Sequence, residues 1–358
     1  MVRLLPVIFA TIAVYYWFRT RRAGSPVASA TVKPSARSAE LGFLPVEQLD
    51  DDHCAPPAPE LLRALAGVRS GDWRPAAELL AAVGTDWERR SMYAFDLGTV
   101  AAKDDGWLLT WEKTRPADPD AAIVRARSTV SLAWELRGAA RAVRTSREQF
   151  DGFHRTLSRS RGELARAAEL NPQDPTPYLT EIWTALGLGY PDEEMHRLWA
   201  EVTARAPQHY EAHFSALQYW CAKWRGSDEQ AHDFAARAAE GAAPGTLMTA
   251  FPLIAFFEAH LDEPAKPSTY RGPELTSLVD AALADAAAAD AAAADESHPR
   301  LPELRHLLAY FLVKQRRYEA AVEQFRLVDG YVDALPWRYY NSKELYAAHR
   351  EEAVRKSR

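Results

Sequence analysis

From Pro59 onward, apolar residues recur at three- and four-residue spacing in segments rich in Ala, Leu, Arg and Glu. No stretch alternates apolar and polar positions as a strand would, and prolines and glycines separate one periodic run from the next. This pattern predicts an all-α body over residues 59–340. The punctuation has a period of its own: Pro172, Pro207 and Pro244 are spaced by 35 and then 37 residues, near the length of a helix-turn-helix repeat. The final "NSKELYAAHREEAVRKSR", residues 341–358, sets Asn341 three positions before Glu344. That spacing is a capping-box start, and the alternating charge after it suits a closing helix with one wet side.

Two segments depart from this pattern. "LLPVIFATIAVYYWF", Leu4 to Phe18, carries no charge and ends in aromatics ahead of Arg19, Arg21 and Arg22. As a helix it reaches about 22 Å, short of the roughly 30 Å hydrocarbon core, so Arg3 and Tyr15 to Trp17 would have to sit at the interfaces. Residues 1–22 are read as a transmembrane or signal-anchor segment, and the basic residues after it place the body in the cytoplasm. A cleaved signal ending at Ala28-Ser29-Ala30 and a peripheral or misassigned start are the alternatives. Residues 23–58 lack either periodicity and read as a flexible, disordered tether. Within it the apolar island "LGFLPV" is taken as linker, with docking onto the folded body as the alternative, and "DDHC" as a solvated acidic patch.

The low-complexity run "VDAALADAAAADAAAADES" spaces Asp280, Asp285, Asp290 and Asp295 five residues apart. Alanine makes it helical, and a five-residue step scatters the carboxylates around the axis. The expectation is a solvated helix without a cation site.

The repeats carry a resemblance. "LRHLLAYFLVKQRRYEAAVEQFRLV" and "GDWRPAAELLAAV" resemble tetratricopeptide repeats: Leu308, Ala309, Leu312, Tyr318, Ala321, Phe325 and Val328 fall on buried positions in one copy, as do Trp73, Ala76 and Leu80 in the other. Arg316-Arg317 stand where the family has Gly-Asp, and Glu181 stands where it has Leu. The resemblance covers residues 60–335 loosely. It implies a right-handed α-solenoid of irregular helical hairpins, with aromatics between them. Trp73, Trp199, Trp220, Trp224, Tyr318 and Phe325 are the packing aromatics on this reading. The family binds peptides on its inner helices, so counting from Pro207 makes Glu211, Phe214, Gln218 and Cys221 groove-lining candidates. Bacterial helical-repeat proteins of this kind, which the body also resembles, supply no activity to transfer.

Composition changes this picture little. The formal charge of -6, from 43 bases and 49 acids spread along the chain, excludes a nucleic-acid footprint as the main feature. Two cysteines, Cys54 and Cys221, are too few for a disulfide framework or a four-thiolate zinc site. "HYEAHFSALQYWCAKWRGS" places His209 and His213 on one helical face, yet Cys221 lies about 12 Å farther along the axis, beyond the reach of a shared ion. His232 or Asp233 would have to supply a third ligand from a neighbouring helix. A catalytic thiol at Cys221 would need a base that no motif provides. The sequence shows no phosphate loop, G-x-S-x-G or H-E-x-x-H. The expectation is a non-enzymatic scaffold without cofactor or metal, tethered to the cell membrane by a single pass and holding a protein or peptide partner. A Cys221-centred enzyme or sensor and a secreted envelope factor are the alternatives.

Overall fold

The computed structural model describes residues 35–138, 147–292, 297–340 and 343–357. The hydrophobic segment Leu4–Phe18 and residues 23–34 of the expected tether lie outside them. Among the described residues there are 17 α-helices and no strand: α1 (Ala36–Glu40), α2 (Pro59–Arg69), α3 (Arg74–Val83), α4 (Trp87–Lys103), α5 (Gly106–Thr114), α6 (Pro119–Arg137), α7 (Arg147–Leu170), α8 (Thr176–Leu188), α9 (Asp192–Arg205), α10 (Tyr210–Trp220), α11 (Asp228–Ala239), α12 (Ala250–Ala259), α13 (Pro273–Ala292), α14 (Leu301–Lys314), α15 (Tyr318–Val328), α16 (Trp337–Tyr340) and α17 (Lys343–Lys356). The protein is all-α, as the periodicity implies.

The helices form two compact units. One contains residues 57–227, and the other joins residues 35–56 to the chain from Asp228 onward.

In the first unit, successive helices pack as hairpins, with α2 on α3, α6 on α7, α7 on α8 and α8 on α9. Helix α2 begins with Pro59 and α6 with Pro119, where the missing N–H costs nothing. Asp86 and Asp118 cap α4 and α6 by accepting from the amides of Arg89 and Asp120. The turn after α2 passes through Gly71 at φ +89°. It delivers Trp73 onto Trp111, the two rings stacked 5.5 Å apart, within a core that includes Leu61, Ala64, Leu80, Leu97 and Trp107. Burying each large apolar side chain is worth about 1.5–3 kcal/mol. Helices α4 and α6 also lie against each other, and Gly98 permits it: a Cβ there would stand 2.7 Å from the Cβ of Arg127.

In the second unit, α14 and α15 make the hairpin expected from "LRHLLAYFLVKQRRYEAAVEQFRLV", burying Leu308, Leu312, Ala321 and Phe325. Its turn has Arg316 at φ +63°, the same left-handed bend that Gly71 makes in the first unit. Helix α13 carries the regularly spaced aspartates, and they do face different ways, but they are not simply solvated. Asp280 pairs with Arg317 at 2.6 Å, Asp290 pairs with Arg305, and Asp285 is buried. Asp285 accepts from Gly245 N at 2.6 Å and Thr249 Oγ1 at 2.7 Å, which holds the turn leading into α12. Asp295 lies outside the described residues.

The described part of the expected tether is built into this second unit. Residues 35–54 form a strap. Phe43 and Leu49 are buried, Asp50 N donates to Gly330 O, and Val332 N donates back to Asp50 O, both at 2.8 Å. The apolar island therefore docks, because it brings two large side chains and a free main-chain edge to a loop that offers the complementary edge.

Candidate partner-binding site

The groove candidates belong to α10, whose start is fixed by a charged junction in the first unit. Arg90, in the first turn of α4 and 3% exposed, donates through Nε to Asp174 at 2.6 Å and through Nη2 to Asp120 at 2.5 Å. Asp174 also accepts from Thr176 N at 2.8 Å. Both carboxylates sit at helix starts, Asp120 on α6 and Asp174 before α8, where the helix dipole favours them. Burial works against the Arg90 cation, but the carboxylates of Asp174 and Asp120 raise its pKa and keep it charged. Burial raises the pKa of Asp120 in turn, and Arg90 opposes that rise.

The same turn of α4 holds α10. Glu88 accepts from Tyr210 N, and His209 Nε2 donates to the Trp87 carbonyl at 3.1 Å. Farther along, Arg127 of α6 donates to Glu211 at 2.8 Å. Helices α4, α6, α8 and α10 thus bring their N-termini together, and α4 touches both α8 and α10.

The four groove candidates are placed accordingly. Glu211 is half-buried and held by Arg127, and Phe214 is half-buried. Gln218 is 1% exposed and Cys221 4% exposed. Gln218 and Cys221 are packing residues, because α10 is covered along that stripe and not bare. Cys221 terminates the helix: its amide donates to Leu217 O at 3.1 Å, and its carbonyl accepts from Trp224 N at 2.9 Å to form the next turn.

The two histidines of this stretch also serve the fold. His209 lies just outside the helix as its N-cap, accepting from Ala212 N, while His213 Nδ1 donates to the His209 carbonyl at 2.9 Å. Trp199 meets the His213 ring edge-on at 4.9 Å. Burial pushes the His213 pKa down to about 4, so the ring is neutral near pH 7. His232 donates to the Asp228 carbonyl of its own helix at 2.6 Å. Among the described residues no three His, Cys, Asp or Glu side chains gather closely enough for a metal ion.

The aromatics divide. Trp220 packs on His196 at 5.0 Å, Trp224 meets Trp134 edge-on at 5.8 Å, and Phe325 meets Tyr346 edge-on at 5.2 Å. Tyr318 is only half-buried, and its hydroxyl accepts from Lys356 Nζ at 3.2 Å.

"DDHC" is not a solvated patch throughout. Asp51 and Asp52 are exposed, but Asp50 accepts from His53 Nδ1 at 2.9 Å, and the His53 carbonyl accepts from Asp333 N at 3.0 Å. Burial, with the carboxylate of Glu303 nearby, pushes the Cys54 thiol up to about 12. Beside its backbone lies His306, fully buried, whose Nδ1 accepts from Trp337 Nε1 at 3.1 Å and whose pKa burial lowers to about 3.

Sequence reading missed two buried charge junctions, Arg90 with Asp120 and Asp174 in the first unit, and Arg350 of α17 with Asp329, 2.6 Å apart, in the second. A partial signal exists for the first: Asp174-Pro175 precedes the start of α8, and Asp120 lies in the first turn of α6. Nothing local marks Arg90 as their shared partner.

No family model, curated protein or solved structure matches the chain. What the fold defines is an all-helical protein of two units. Among the described residues no helix is long and apolar enough to cross a membrane.

Proposed function

We propose that the protein is a non-catalytic, tetratricopeptide-like scaffold that holds a protein or peptide partner, anchored to a membrane by Leu4–Phe18 with its helical body on the cytoplasmic side. The supporting observation is how the chemically capable side chains are used. His209 and His213 spend ring nitrogens on the main chain of α10 and of Trp87, and Cys221 forms a helix-ending turn. A buried imidazole bonded to a carbonyl positions a backbone, whereas general-base work needs a reactant within its reach. Helical hairpins, by contrast, offer extended surface without chemistry. The anchor rests on the uncharged run and the arginines that follow it.

Phe214 is the groove candidate that keeps accessible surface without an assigned ion pair. A photo-crosslinking phenylalanine analogue at position 214 of the full chain, irradiated in intact cells, tests the reading. A discrete adduct recovered with the membrane fraction is the expected result. Recovery of the chain alone, together with rapid alkylation of Cys221 at pH 7, would replace the scaffold with the thiol-based reading.

A further inference from the structure

We infer that the second unit contains a peptide-capture site which residues 43–53 of the strap fill in cis, and which takes a partner segment with an aromatic residue and a leucine six positions apart, on either side of a single 3-10 turn such as Val46–Gln48 makes in the strap. The inference deepens the scaffold reading by naming a second surface and the chemistry of what it holds.

The strap is bound the way a ligand peptide is bound. Its main chain is read at three places. Leu44 N donates to Asp329 Oδ2 at 2.7 Å, and Leu44 O accepts from Arg350 Nη2 at 2.7 Å. Asp50 then exchanges two hydrogen bonds with Gly330 and Val332 as a parallel bridge beside Tyr331, and His53 O receives Asp333 N. Main-chain hydrogen bonds of this kind hold a segment whatever its side chains, and side-chain anchors then choose among segments. The anchors are Phe43 and Leu49, 6% and 4% exposed, while Leu44, Glu47 and Gln48 between them are exposed. Phe43 lies against the Arg350 guanidinium, 4.9 Å from ring centre to Cζ.

The receiving side is organised around Arg350 on α17. It is 1% exposed and pairs with Asp329 at 2.6 Å, so the occupant contributes the carbonyl that completes its shell. The strap does this incompletely. Among the described residues Arg350 Nε is buried without a hydrogen-bond partner, whereas Glu351 Oε1 is ion-paired with Arg350 Nη2 at 4.0 Å and Glu351 Oε2 accepts from Ser35 N at 3.1 Å. A buried donor left unmet is costly. It marks the strap as an occupant that a segment offering one more acceptor at this place would improve on. Its advantage is tethering, which gives it an effective concentration on the order of millimolar.

The test uses the full chain with Phe43→Ala and Leu49→Ala to loosen the strap, and a fluorescent peptide "LGFLPVEQLDDDH" as the probe. The loosened chain, folded by its melting curve, is expected to bind the peptide saturably and roughly tenfold or more tightly than the wild-type chain, which still carries its competitor. A peptide with both anchors replaced by alanine is expected not to bind. No saturable binding by a folded loosened chain overturns the site, as does equal binding of the anchorless peptide. Concentration-dependent dimers that exchange straps would assign the site to a second copy and overturn the choice of partner. If the loosened chain does not fold, hydrogen exchange on the wild type decides. Leu44 and Asp50 amides exchanging well ahead of α14 support an openable strap, and exchange only with global unfolding refutes it. These outcomes are independent of the adduct at position 214, so this inference and the scaffold reading fail separately.

Discussion

Arg90 Nε meets the carboxylate of Asp174 at 2.6 Å across 84 residues of sequence, with both side chains almost sealed from solvent. A second bond from the same guanidinium to Asp120 makes it the shared cation for the starts of α6 and α8.

Removing that cation leaves two carboxylates in a low-dielectric site. Arg90→Ala is expected to lower unfolding stability by about 3–5 kcal/mol, the cost of stranding a buried charge. Arg90→Lys is expected to fall between the two, because an ammonium reproduces the charge but not the fork that serves two carboxylates at once. Urea denaturation of both variants checks this, and a loss under about 1 kcal/mol for Arg90→Ala would mean that water replaces the guanidinium freely.

Stability should fall on mild acidification. Burial lowers His213 and His349 to about 4 and His306 to about 3, while the same side chains in the unfolded chain titrate near 6.5. Between those values the unfolded state binds more protons, so stability decreases as pH drops from about 6.5 toward 4, by up to about 1.4 kcal/mol per pH unit for each imidazole. Urea midpoints at pH 7, 6 and 5 measure the slope. His213→Gln is expected to flatten it, and an unchanged slope in that variant would exclude His213 as a contributor.

Cys54 should be chemically quiet. A thiol pushed up to about 12 is almost entirely protonated at pH 8, and the thiolate is the reactive form. Alkylation by a maleimide at pH 8 is expected to be slower than for glutathione by two orders of magnitude or more, and to become fast in denaturant. Labelling of Cys54 at the glutathione rate in the folded chain would show that this half-buried thiol is not held protonated.

The turn between α14 and α15 holds avoidable strain. Arg316 adopts φ +63°, a conformation that costs a residue with a Cβ about 1 kcal/mol and glycine little. Arg316→Gly is expected to stabilise the chain by about 0.5–1 kcal/mol. Thermal melting of the single variant is the measurement, and a lowered midpoint would show that the arginine side chain contributes more than the backbone loses.

Much of the helical body was legible in the sequence because helix formation and termination are local. The three-to-four residue recurrence from Pro59 gave the helical state, and the "GDW" and "RRY" turns fall where the chain bends in each unit. The repeat alignment also identified Phe325 and Trp73 as buried residues. Its groove assignment was less informative, because facing inward on one helix does not say what lies opposite. Gln218 and Cys221 are covered, and Glu211 has met Arg127 from α6.

By itself, then, the sequence determined helices, their breaks and their buried stripes, since each depends on residues within a turn or two. Only the tertiary structure decided that Arg90 serves Asp174 and Asp120, that Leu44 is received by Arg350 across 306 positions, and that residues 35–54 dock as a strap. Those partners are chosen by where packing brings distant backbones together, and no local periodicity carries that information.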